Sequence, residues 1–220
     1  MKESHFLHSE YSKYNKPMTK IKICGFTDAD VARATALSGA DAIGLVFYDP
    51  SPRNVSIEVA REIVAALPPL VNRIGLFVNA SPSQIDEVLC EVPLDTLQFH
   101  GDETPLDCEQ YHMPFIKAVR VTDQTNLTQV ATDFSQASSL LLDAYNPSAF
   151  GGTGESFDWS LAKVEIDLPI ILAGGLTPEN VTDAIAQVSP YAVDVSSGVE
   201  SAKGVKDIDK IRDFISKVRP

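Results

Sequence analysis

Short runs of apolar, often β-branched residues recur along the chain, each bounded by polar or glycine-containing turns. They fall at residues 20 to 23, 41 to 47, 72 to 78, 94 to 99, 114 to 120, 138 to 142, 168 to 172 and 192 to 195. Runs of this kind suit parallel strands that are covered by helices and buried on both faces. Between them the apolar positions spread to helical spacing, near 28 to 37, 56 to 66, 82 to 90, 104 to 109, 125 to 133, 159 to 163, 178 to 187 and 205 to 217. Helix starts support the division. Ser56 precedes one patterned segment, Ser81-Pro82 can cap and begin another, and Thr177-Pro178-Glu179-Asn180 offers a cap followed by proline at the first helical position. A doubly wound open sheet would use much of the same local grammar. Eight closely spaced strand–helix units favour closure instead, which removes the exposed sheet edges and predicts an α/β fold, a single (β/α)8 barrel of the TIM type.

Composition narrows the possibilities. With 220 residues and 44% hydrophobic content the chain can fill one core, and no linker divides residues 20–220, so one domain is expected there. Residues 1–19 mix polar, charged and aromatic types without a secretory hydrophobic region and read as a flexible extension. Eighteen basic against 30 acidic residues give a net charge of -12, which argues against nucleic-acid binding while leaving room for one locally positive pocket. No apolar stretch approaches membrane-spanning length, so no membrane partner is expected. Cys24, Cys90 and Cys108 are too few and too widely spaced for a metal cluster, and an odd number does not complete a disulfide framework. Reduced thiols and a cytoplasmic location are the expectation.

In such a barrel the carboxyl ends of the strands and the loops after them face one mouth. Cys24 ends the first strand, just before Gly25, and is either a buried structural thiol or a base whose thiolate is favoured by local positive potential. Asp143 follows Ser139-Leu140-Leu141-Leu142. It can cap a loop, or, protonated, donate to a substrate oxygen. Arg53, in the second loop, is suited to a surface ion pair or to a bidentate grip on a substrate carboxylate. His100, in Gln98-Phe99-His100-Gly101-Asp102-Glu103, can orient its loop or touch substrate, and it has no partners in a metal-ligand pattern.

The late loops carry the signal for ligand class. Gly151-Gly152-Thr153-Gly154 is either a flexible turn or a ligand-approaching loop. Ala173-Gly174-Gly175-Leu176, ending the seventh strand, and Ser196-Ser197-Gly198-Val199-Glu200, after Asp194-Val195, supply backbone amides that, together with a helix N-terminus, can hold a phosphate dianion without lysines. Neither a P-loop nor a dinucleotide fingerprint follows an early strand.

Taken in order, KICG at 22–25, GLVFYDPSPRNVS at 44–56, QFHGDE at 98–103, LLLDAY at 140–145, GGTGESFDW at 151–159, LAGGLTPENV at 172–181 and DVSSGVES at 194–201 make the chain from Lys20 onward resemble the phosphoribosylanthranilate isomerases of tryptophan biosynthesis. The resemblance implies an Amadori rearrangement with Cys24 as general base and Asp143 as general acid. It implies that Arg53 receives the anthranilate carboxylate, that Gly175, Ser197 and Gly198 bind phosphate, and that Asp194 supports substrate or loop geometry. It implies no cofactor and no metal, a small-molecule phosphoribosylanthranilate substrate as partner, and a monomer, with a homodimer left open. Two alternatives stand beside it. An indole-glycerol-phosphate synthase should carry a lysine-rich catalytic centre that is not found at the matching strand ends, and an inactive binding barrel would hold ligand without turnover.

Overall fold

The computed structural model describes residues 18–144 and 158–219. Within them eight strands, β1 (Lys20–Cys24), β2 (Ala42–Phe47), β3 (Asn72–Phe77), β4 (Thr96–Phe99), β5 (Phe115–Val121), β6 (Ser139–Ala144), β7 (Ile170–Leu172) and β8 (Ala192–Val195), form a closed barrel. Each strand pairs in parallel with the next, and β8 closes on β1 with Lys22 opposite Asp194. The helices between them are α1 (Ala29–Leu37), α2 (Ile57–Ala66), α3 (Pro82–Glu91), α4 (Pro105–Glu109), α5 (Leu127–Asp133), α6 (Val181–Val188) and α7 (Ile208–Val218). The eight strands and the barrel are those that the apolar runs predict, with ends moved by a residue or two.

Side chains alternate across each strand, and the two sets bury in different places. Ile21 and Ile23, Ile43 and Leu45, Leu97 and Phe99, Leu140 and Leu142, and Val193 and Val195 join the large core between sheet and helices. Ala42, Ile74, Ile116, Ala118, Leu141, Ile171, Ala173 and Ala192 form a separate cluster that fills the barrel interior. By the same alternation Lys22, Cys24, Gln98, Asp143 and Asp194 point into the barrel. Helix α7 completes the outer layer by burying Ile211, Phe214, Ile215 and Val218 along one stripe, each contributing about 1.5–3 kcal/mol.

Helix ends follow local capping chemistry. Ser56 caps α2, and Ser81 caps α3 in a reciprocal arrangement with Gln84. Three expectations are corrected. The segment 159–163 is a single 3-10 turn, Trp159–Ala162, capped by Asp158. The helix expected from 178 begins at Val181, because Thr177 to Asn180 form a turn in which the Asn180 side chain accepts from Thr177 N and donates to Gly175 O. The helix expected from 205 begins at Ile208, capped by Asp207, because Val205–Lys206 (β10) pairs antiparallel with Glu200–Ala202 (β9) in a small hairpin. The expected extension lies outside the described residues except for Met18 and Thr19.

Candidate active site

Cys24 is the last residue of β1 and is packed with Val46, Leu76 and Val78 at the mouth of the barrel. Its register partner on β2 is Gly44, and the absence of a side chain there makes room for the thiol: a Cβ on Gly44 would lie 2.6 Å from Sγ. Two residues earlier on the same strand face, the Lys22 ammonium donates to Asp194 Oδ1 at 2.9 Å, both groups buried. Burial pushes the Cys24 thiol up from its ordinary value; Lys22 opposes the shift, Asp194 adds to it and Lys206 opposes it. The net direction is upward, so the resting group is a thiol and its conjugate base is a strong one. Burial also acts on Lys22, but attraction from its neighbours, Asp194 first, outweighs it and holds the ammonium above its ordinary value.

A second ionic cluster borders this wall. Arg53, 6% exposed, donates from Nε to Glu200 Oε1 at 2.7 Å and from Nη2 to Glu200 Oε2 at 2.8 Å. Glu200, at the start of the hairpin, also accepts from Lys206 Nζ at 2.7 Å and Gly204 N at 3.1 Å. Burial would raise the Glu200 carboxyl, but the hydrogen bonds from Arg53 and Lys206 outweigh it and bring it down to about 2. Lys206 also donates to Ser196 O and Oγ, and Ser196 Oγ donates to Cys24 O at 2.9 Å. Burial leaves the Lys206 amine below its ordinary value despite Glu200. Two of the five guanidinium N–H bonds of Arg53 are thus committed to Glu200.

Among the described residues, the wall built by β4 and β6 carries no such ion network around its carboxyl group. Asp143 Oδ1 accepts from Ala144 N at 2.8 Å, which fixes the carboxyl plane. Asp143 Oδ2 lies 3.2 Å from His100 Nε2, and His100 Nδ1 lies 2.9 Å from Gln98 Nε2. His100 is held just past the end of β4 by its N–H, which donates to Phe77 O at 2.8 Å. The loop that follows is pinned by Glu103, which accepts from Gly101 N, Asn79 N and Lys117 Nζ. Lys117 itself alternates with the interior residues Ile116 and Ala118 and faces the helix layer, so it belongs to the scaffold.

The glycine loops after β7 and β8 meet. Gly174 and Gly175 have φ values of +78° and +64°, and Gly198 packs on the Leu176 carbonyl so closely that a Cβ would lie 1.9 Å from the oxygen. Ser197–Val199 forms one 3-10 turn beside them. Gly151 to Gly154 lie outside the described residues. Among the sequence candidates, Cys24 and Asp194 therefore join one wall, with Arg53 in the ionic cluster at its border. Asp143 and His100 share another wall, and Gly175 and Gly198 belong to loops in contact. Sequence reasoning passed over Lys22, Gln98, Glu200 and Lys206. The first two were accessible by stepping back two residues from Cys24 and His100 along the same strand face.

A family model described as N-(5'-phosphoribosyl)anthranilate (PRA) isomerase matches residues 21–217. An N-(5'-phosphoribosyl)anthranilate isomerase of Pseudomonas fluorescens (strain Pf0-1) is 58% identical over 198 residues, covering 90% of this chain and 97% of the relative. Among solved structures, phosphoribosyl anthranilate isomerase from Thermotoga maritima superposes with a TM-score of 0.84 at 42% identity, covering 92% of this chain and 99% of the other. A phosphoribosyl anthranilate isomerase in complex with reduced 1-(o-carboxyphenylamino)-1-deoxyribulose 5-phosphate gives a TM-score of 0.80 at 40% identity, with 92% and 99% coverage.

Proposed function

The chain belongs to the N-(5'-phosphoribosyl)anthranilate isomerase family, and from that premise we propose that Cys24 and Asp143 divide the proton transfers of its reaction. That reaction is the Amadori rearrangement of N-(5-phosphoribosyl)anthranilate to 1-(2-carboxyphenylamino)-1-deoxyribulose 5-phosphate, a step of tryptophan biosynthesis. Asp143 protonates the furanose ring oxygen as the C1–O bond breaks, with the anthranilate nitrogen supplying electrons to C1 and leaving a Schiff base. Cys24, as thiolate, then removes the proton from C2, and the enolamine formed tautomerises to the aminoketone. Both steps are proton transfers that side chains perform without a cofactor.

The observation that carries this reading is the placement of the two groups. One ends β1 and the other lies at the end of β6, and each points by strand alternation into the same barrel mouth. Arg53 directs its uncommitted N–H bonds to the anthranilate carboxylate, and Gly175, Ser197 and Gly198 hold the phosphate by backbone amides. With both anionic ends fixed, the sugar lies between acid and base. Asp194 acts through Lys22, its 2.9 Å partner, and His100 acts through Asp143.

The test is to assay C24A and D143N by loss of anthranilate fluorescence coupled to the next enzyme, and to titrate both with the reduced product analogue. Lost turnover with retained binding supports the roles; a folded variant that turns over like wild type removes its residue from the mechanism. The same reading places the protein in the cytoplasm as a monomer. Free Cys24, Cys90 and Cys108 support a reducing compartment, and among the described residues no helix is long and apolar enough to cross a membrane. One related structure is described as monomers made from a dimeric Thermotoga maritima enzyme, so sedimentation at assay concentration decides the oligomeric state.

A further inference from the structure

A guanidinium grips a carboxylate through two parallel bonds only when the two planes meet in line, and the plane of Arg53 is fixed from two sides. Its backbone N–H donates to Ser51 Oγ at 3.1 Å. Its stem crosses Gly25, the residue after Cys24, so closely that a Cβ there would lie 2.5 Å from Arg53 Cδ, and Gly25 has a φ of +86°. On the other side Glu200 accepts from Nε at 2.7 Å and from Nη2 at 2.8 Å, one bond to each oxygen. This grip takes the inner edge of the fork. It leaves the outer edge, where an N–H of Nη1 and the second N–H of Nη2 run parallel.

Glu200 is itself held in place. Oε1 also accepts from Lys206 Nζ at 2.7 Å and Oε2 from Gly204 N at 3.1 Å, while Lys210 Nζ donates to its carbonyl at 2.7 Å. Gly204, with a φ of +83°, turns the hairpin against the loop that carries Arg53: a Cβ there would lie 2.7 Å from Pro52 O. Arg53 is nearly buried, yet Nη1 has no hydrogen-bond partner among the described residues, and unlike Nε of Arg219 it is not sealed from solvent. Arg53 and Lys206 against Glu200 leave the cluster with an excess of positive charge. An unpaired cationic edge in a dry place is costly until an anion meets it, and a carboxylate fits it. An anion that only neutralised Arg53 could sit on either edge; the one here spares the outer.

We propose that Glu200 is a positioning residue for Arg53, holding the inner edge of the guanidinium so that the outer edge stays free, in a fixed plane, for the carboxylate of the substrate's aryl amine. The hairpin thereby sets the enzyme's preference for an aryl amine that carries that carboxylate. The inference rests on the reading of Arg53 as the group that receives the anthranilate carboxylate. Since the stem of Arg53 lies over Gly25, the same contact ties the anchored end of the substrate to the strand end that bears Cys24.

The test titrates the reduced product analogue, and the same compound made without its carboxylate, into the intact wild type and into R53A, E200D and E200Q, each confirmed as folded by circular dichroism. E200D keeps the charge but draws it back by one methylene; E200Q keeps the length but sets an NH2 against an N–H of Arg53. Wild type is expected to bind the carboxylated ligand about ten- to a hundredfold more tightly than the other. Both Glu200 variants should lose at least about threefold of that preference while holding the carboxyl-free ligand within about twofold. An unchanged or larger preference in these variants, or equal weakening of both ligands, overturns the proposal. R53A separates the two ideas: if it keeps the wild-type preference the reading of Arg53 fails, whereas an R53A that loses it beside Glu200 variants that keep it fails only the role given to Glu200.

Discussion

The two walls of the barrel mouth are built on different electrostatic principles. The Cys24 wall is ionic: Lys22 with Asp194, and Arg53 and Lys206 with Glu200, all buried. The Asp143 wall, among the described residues, is a series of amide, imidazole and carboxyl groups, Gln98, His100 and Asp143, spaced at 2.9 and 3.2 Å. A thiol held above its ordinary value by burial becomes a usable base only when fixed cations oppose that burial, and those cations need counterions of their own. Under the proposed roles, the base is set among fixed charges and the acid beside an imidazole and an amide.

The comparison breaks first at its two ends. C24A and D143N are each expected to lower kcat at least about a hundredfold, and comparable activity in either would mean that its wall carries no chemistry. Next comes E200Q, which leaves Arg53 and Lys206 without their anion and should cost about 3 kcal/mol in urea unfolding. Because Glu200 is held near 2 in the fold, against a usual value of 4.5, its contribution is fully present above the unfolded value and is lost as pH falls from about 4.5 towards 2. E200Q should flatten that acid portion of the stability curve, and an unchanged curve would show that Glu200 does not anchor the wall.

A smaller and more discriminating effect lies in the pH profile of kcat/KM, which should rise with pH as the thiolate of Cys24 forms. Lys22 lowers the thiol and Asp194 raises it. K22M should therefore move the rising limb to higher pH, costing about tenfold at neutral pH, while D194N should move it to lower pH. Q98M, on the other wall, should leave that limb in place. Movement in the same direction for K22M and D194N would point to packing damage instead of charge. Smallest is R53K, which retains a cation but loses the planar fork, and should raise KM severalfold with kcat within about twofold.

Much of this arrangement was legible in the chain. The strands could be read because parallel strands buried on both faces leave continuous apolar runs, and Cys24 and Asp143 stood out as polar residues closing two of them. Lys22 sits inside such a run and looks like an interruption until strand alternation assigns it to the barrel interior. Glu200 and Lys206 were harder, since their roles depend on an Arg53–Glu200 pairing across 147 positions and on a hairpin with only two or three residues per strand. That hairpin also explains the misplaced start of α7, because local spacing cannot distinguish Val205–Lys206 from a first helical turn. The helix expected from 178 failed for a related reason: the Asn180 side chain ties back to Thr177 and Gly175, a preference of the folded loop that the Thr-Pro signature does not encode.

The seam of the barrel has one more consequence, for synthesis. The charged surroundings of Cys24 come from both termini of the domain: Lys22 and the thiol leave the ribosome early, while Asp194, Glu200 and Lys206 arrive near the end. Gln98, His100 and Asp143 are made long before that. A nascent or truncated chain ending ahead of Asp194 would carry the thiol with no anion beside its lysine and no hairpin over its strand. Cys24, 5% exposed in the closed barrel, is therefore expected to react faster with a thiol reagent in such a truncated chain than in the whole one.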